Sequence, residues 1–149
     1  MSKTKITFDL ILIKQTIHLL KKTQAIKLLS ICKDKLNPKG KIIILSLDPK
    51  RNEIPTFTLM EKKLRISLNK DEKLFNLIFK NRAEMNVKKF TYEVKILKNK
   101  YLQIIKNRYI STLLNFTEEQ IKDGVIEIKN NYKNKLEFKD RLICFILKK

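Results

Sequence analysis

Phe8-Asp9-Leu10-Ile11-Leu12-Ile13 and Lys41-Ile42-Ile43-Ile44-Leu45-Ser46-Leu47 are two apolar runs rich in β-branched residues, and the segment between them has helical periodicity. Ala25, Leu28, Leu29, Cys32 and Leu36 recur on one helical face, so Thr23 to Leu36 reads as an amphipathic helix. Asn37-Pro38-Lys39-Gly40 ends it, with a proline that cannot continue a helix and a glycine that tolerates positive φ. Two near-continuous apolar strands joined by a helix predict a right-handed βαβ unit over Phe8 to Asp48. Such a unit lies in a parallel sheet whose strands are buried on both faces. Residues 1–7 are a polar, basic lead-in.

Downstream, Pro49 and Pro55 bracket a loop, and two helical stretches follow, Phe57 to Leu68 and Lys70 to Arg82. Asn69 is placed to cap the second, with Asp71 and Glu72 in its first turn and Leu74, Leu77 and Ile78 as its apolar stripe. Residues 49–90 therefore read as a helical insertion. From Thr91 to Leu97 the chain alternates, with Tyr92, Val94 and Ile96 on one face, which is the signature of a half-exposed edge strand. Helical turns and a connection occupy Asn99 to Leu114. Thr117-Glu118-Glu119-Gln120 is a capping box with Phe116 and Ile121 as its hydrophobic staple. Ile121, Val125, Ile128 and Tyr132 line the buried face of that helix, and Glu118 and Lys122 are spaced as an i,i+4 pair. Leu136 to Leu147 is a last, central strand. The whole is one α/β domain of about four strands with flanking helices.

The chain of 149 residues carries 34 Lys and Arg against 15 Asp and Glu, a formal net charge of +19. Such a balance attracts nucleic acid, an anionic membrane face or an acidic partner. The lysines are spread along every segment and greatly outnumber the arginines, which favours compositional bias over a clustered nucleic-acid footprint. Cys32 and Cys144 lie in apolar surroundings without metal spacing and read as buried thiols of a reducing compartment. Asp9 and Lys14 keep the first apolar run too short for a signal segment or a membrane span. A cytoplasmic protein is expected. Metal-ligand spacing, a phosphate-binding loop and a nucleophile elbow are all missing from the sequence.

FDLILIKQTIHLL (8–20), NPKGKIIILSLD (37–48), RYIS (108–111), FTEEQIKDGVIEI (116–128) and FKDRLICFIL (138–147) carry a resemblance. Together they resemble the C-terminal half of a class I S-adenosylmethionine-dependent methyltransferase, of the ubiquinone/menaquinone-biosynthesis-type branch. The resemblance implies a Rossmann-like methyltransferase half-domain whose last strand runs antiparallel between the second strand and the alternating one. It implies S-adenosylmethionine as cofactor and makes residues 49–90 a lid over the substrate. Lys14, Gln15 and His18 follow the first strand at its carboxyl end, where open α/β sheets bind ligands, and Asp48 ends the second. These four, with Arg108 and Tyr109 of the RYIS element, are the candidate lining residues. Catalytic residues are not identified. His18 lines the donor site or packs against the following helix, and Arg108-Tyr109 contacts ligand or acts as a structural clasp.

The family grips its cofactor with a Gly-rich turn after its first strand and an acid ending its second. Neither Gly40 nor Gly124 belongs to such a turn, and Asp9 lies inside a strand run. The main binding motif is therefore not in this chain. Phe8 to Ile13, patterned as an interior strand, is expected to have a neighbour on one side only and to expose an unprotected edge. Three readings follow: the chain is the C-terminal fragment of a split or mis-started gene, a second chain or self-association completes the sheet there, or the basic N-terminal arm covers the edge of a degenerate remnant. A non-catalytic scaffold or basic nucleic-acid-binding module on the same half-fold is the other function such a chain supports.

Overall fold

A computed structural model describes residues 6–79 and 85–149. In chain order the elements are β1 (Phe8–Lys14), a 3₁₀ turn (Ile17–Leu19), α1 (Lys22–Asp34), β2 (Leu36–Leu47), α2 (Thr58–Phe79) and β3 (Met85–Leu97). They continue with α3 (Lys98–Lys106), a second 3₁₀ turn (Ser111–Leu113), α4 (Glu118–Asn131) and β4 (Lys135–Lys148). The strands form one sheet in the order β1-β2-β4-β3. β1 and β2 are parallel, with Ile11 opposite Ile42 and Ile13 opposite Ile44. β4 runs antiparallel to β2, with Phe145 opposite Ile44 and Leu147 opposite Ile42. The expected strand order and the reversed, inserted last strand are both present, and the chain is a Rossmann-like α/β protein.

The polypeptide divides into two compact units. The first comprises residues 1–48, 71–90 and 142–149. Its core joins Ile13, Ile42, Ile44, Phe145 and Leu147 of the sheet to Ala25, Leu29 and Cys32 of α1 and to Phe75, Ile78 and Phe79 of α2. Phe79 stacks on Phe145 with ring centroids 4.3 Å apart. All these sheet residues share one face, by register, so the helices cover that face. On the other face Leu10 and Leu12 remain 54% and 56% exposed. The expectation of burial on both faces therefore fails for β1. It holds the edge of the sheet, as expected, but it is dressed on one side.

The second unit comprises residues 49–70 and 91–141. Phe57, Met60, Tyr101, Leu102, Ile105, Leu113, Phe116, Ile121, Val125, Ile128 and Leu136 form its core. The capping box of α4 is formed: Thr117 Oγ1 accepts from Gln120 N–H at 3.2 Å, and Gln120 Oε1 accepts from Thr117 N–H at 3.0 Å. Tyr101 donates its buried hydroxyl to the Pro55 carbonyl at 2.6 Å.

Five local expectations need correction. α2 is one helix of 22 residues, and Asn69 lies inside it instead of capping a second helix. Its buried positions, Met60, Leu64, Leu68, Phe75, Ile78 and Phe79, keep helical spacing across Asn69, and tertiary burial outweighs the modest propensity cost of one asparagine. The end expected at Arg82 lies outside the described residues. Residues 85–90, read as part of a helical insertion, are strand, because β3 has 13 residues. Leu36 opens β2 instead of closing α1. The positive φ belongs to Lys39, at 73°, inside β2 where the register against β1 shifts, and not to Gly40. Gly40 is required by close packing: a Cβ there would stand 2.9 Å from the Asn37 carbonyl oxygen and 3.0 Å from that of Phe8. Finally, the Glu118 carboxylate pairs with Arg108 at 2.8 Å.

Candidate functional site

The carboxyl ends of β1 and β2 lie side by side because the strands are parallel and in register up to Lys14 opposite Leu45. Gln15, the next residue, has φ of 49° and donates its N–H to the Leu45 carbonyl at 2.7 Å. A left-handed glutamine costs backbone energy, and such strain gathers where a chain must turn sharply at a working surface. It turns the chain away from the strand direction and leaves the side chains of Lys14 and Gln15 exposed. Ile17, fully buried, anchors the 3₁₀ turn that follows.

His18 rides on that turn, half-buried, with a buried Nδ1 that has no hydrogen-bond partner. Burial lowers its imidazole pKa from the ordinary 6.5, so the ring is neutral near pH 7. A neutral imidazole with an unused nitrogen accepts a hydrogen bond or a proton, given a donor. Asp48, at the end of β2, is buried, and its carboxylate meets Lys89 Nζ of β3 at 3.2 Å. Lys89 carries no signal in the sequence, because its segment reads there as part of a helical insertion. The structure therefore places Lys14, Gln15, His18 and Asp48 at one end of the parallel pair, in the first unit.

Arg108 and Tyr109 belong to the second unit. Arg108 has φ of 53° and stands just past the C-cap of α3. Its N–H donates to the Ile105 carbonyl at 3.0 Å, and the Tyr109 N–H donates to that of Ile104 at 3.1 Å. That pair of bonds is a Schellman motif, with arginine where glycine is usual. The guanidinium reaches the Phe116 carbonyl at 2.9 Å and the Glu118 carboxylate at 2.8 Å. Arg108 thus ties the end of α3 to the start of α4, while Tyr109 is 75% exposed. Of the two uses open to this dipeptide, the geometry of Arg108 is that of a clasp.

The second unit also holds a cavity of about 310 Å³ between the loop after β2 and the first half of α2. Lys50, Asn52, Thr56, Glu61, Leu64 and Arg65 are among its lining residues, a mixed polar and apolar wall in the segment read as a lid. Arg65 there is held by Glu61 at 2.8 Å. Among the described residues no cluster of His, Cys, Asp and Glu is arranged to hold a metal ion. No described helix is long and apolar enough to cross a membrane. Cys32 and Cys144 are buried and unbridged.

No protein-family model and no curated protein matches the chain. Solved structures similar to it include the plantazolicin methyltransferase BpumL with S-adenosylhomocysteine and a monoazolic desmethylPZN analogue. That chain is 15% identical, with a TM-score of 0.39 and coverage of 99% of this chain and 54% of its own. A protein from Bacillus halodurans C-125 assigned as a methyltransferase is 13% identical, with a TM-score of 0.44 and coverage of 99% and 67%. A Haemonchus contortus phosphoethanolamine N-methyltransferase with S-adenosylhomocysteine is 14% identical, with a TM-score of 0.41 and coverage of 99% and 35%. The chain spans about half the length of the first of these.

Proposed function

We propose that this chain is one half of an S-adenosylmethionine-dependent methyltransferase domain of the ubiquinone/menaquinone-biosynthesis type, with an unidentified methyl acceptor. In this reading it supplies the rim of the donor site, and further polypeptide supplies the main grip. The observation that carries it is the strand order β1-β2-β4-β3, with β4 reversed and inserted beside β2. That is the arrangement implied by the resemblance that the motifs at 8–20, 37–48 and 138–147 carry. The second support is the placement of Lys14, Gln15 and His18 at the carboxyl end of β1, on the sharp turn at Gln15.

The described residues do not make a complete cofactor site. Gly40 lies at the amino end of β2 and Gly124 inside α4, so neither lets a ligand approach backbone at a strand's carboxyl end. Asp48 is buried, with Oδ2 on Lys89 Nζ at 3.2 Å. Lys14, Gln15 and His18 are accordingly lining residues, and completion of the sheet beside β1 by a second chain or a second copy is part of the proposal.

A ¹⁵N chemical-shift titration of the full chain with S-adenosylhomocysteine tests it. Weak binding, with Kd of about 1 mM or above, is expected to move the signals of Lys14, Gln15 and His18 and spare those of Lys39 and Gly40. Shifts confined to other regions, or none at the solubility limit of the ligand, would overturn it.

A further inference from the structure

We infer that the uncovered face of the first unit's sheet docks a partner helix bearing an apolar stripe and acidic residues. By register, Leu10, Lys41 and Lys148 form one row across this face, and Leu12, Ile43 and Ile146 form the next. Burial falls across the sheet toward its edge. Cys144 of β4 is buried, Ile43, Leu45 and Ile146 are half-buried, and Leu10 and Leu12 are more than half exposed. The patch is thus a continuous apolar strip on the β1 side. Parallel strands normally carry a layer of helix on each face; among the described residues α1 and α2 pack on the opposite face, while the β1 side of this one stays exposed.

The lysines say what chemistry the occupant has. Lys41 and Lys148 are exposed and directly opposite each other, and like charges so placed repel. An acidic side chain between them turns that repulsion into attraction. Lys14 is exposed at the other end of the strip, in the row of Leu45. Rows four residues apart are separated by roughly 13 Å along the strands. A helix laid along them rises that far in about nine residues. A stripe of leucines flanked by two carboxylates about nine residues apart therefore fits both ends of the strip. The inference rests on an uncovered sheet and not on the methyl-donor reading, so the titration above can fail while docking stands.

The probe is a labelled synthetic helix with a leucine stripe and two glutamates at that spacing, measured by fluorescence anisotropy against the full chain. Saturable one-to-one binding is expected. The double substitution Lys41→Glu, Lys148→Glu should weaken it by at least about tenfold, and a lysine-bearing version of the peptide should recover the loss. Leu12→Asp, at an exposed position that leaves the fold intact by its melting curve, should abolish binding. Affinity indifferent to either charge reversal would overturn the inference, as would no saturation. Tighter binding to phosphatidylglycerol vesicles than to the peptide would overturn it in favour of a membrane surface.

Discussion

Gly124 of α4 lies directly against Phe57: a Cβ at position 124 would stand 2.6 Å from the ring carbons Cδ1 and Cε1. The ring is 2% exposed and meets Phe116 edge-on at 5.6 Å, so it has nowhere to retreat. Gly124→Ala gains about 1 kcal/mol of helix propensity. Overpacking of a filled core costs about 1–3 kcal/mol and should outweigh it, giving a net loss of up to about 2 kcal/mol. Chemical denaturation measures it. Combining it with Phe57→Leu should recover part of the loss, because the two positions share one contact.

Arg108 joins two helices by its side chain while its own backbone sits in the left-handed region. Arg108→Ala keeps the unfavourable φ and loses the bonds to Phe116 and Glu118, and should destabilise by about 1–3 kcal/mol. Arg108→Gly loses the same bonds but relieves the backbone, and should cost less than the alanine variant. If Arg108 instead faced a ligand, the alanine variant would unfold at the same denaturant concentration as the parent.

His18 is the single histidine of the chain, so its titration is read directly. Its pKa is lower folded than unfolded because burial disfavours the imidazolium. As pH falls through the ordinary value of 6.5, the unfolded chain takes up protons that the folded chain resists. The stabilisation is thus complete above that pH and declines below it. Denaturation curves at about pH 7.5 and about pH 5.5 should show a loss of stability that is smaller in His18→Gln. An equal loss in the variant would place the effect elsewhere.

Much of the sheet was legible because β-branched runs are hard to mistake and because the motifs at 8–20, 37–48 and 138–147 carry a family resemblance that implies a strand order. The capping box was legible because Thr117 and Gln120 make their bonds across three residues. What escaped was set by contacts distant in sequence. Asn69 looks like a cap until Leu64, Leu68 and Phe75 are each seen to be buried, which is a tertiary fact. Lys89 meets Asp48 across 41 positions, and no local pattern announces that pair. The positive φ of Gln15, Lys39 and Arg108 falls on residues that do not advertise it, and glycine was the only signal to look for. Among the candidate site residues, the end of β1 could be located from its strand. The clasp at Arg108 needed coordinates.

Equilibrium binding of radiolabelled S-adenosylmethionine to the purified chain, on a monomer of verified mass, tests the half-domain most directly. A chain that carries only the rim of the donor site should bind without saturating below about 1 mM. Saturable one-to-one binding in the micromolar range by the monomer would contradict it, because the residues described here would then form a complete cofactor site.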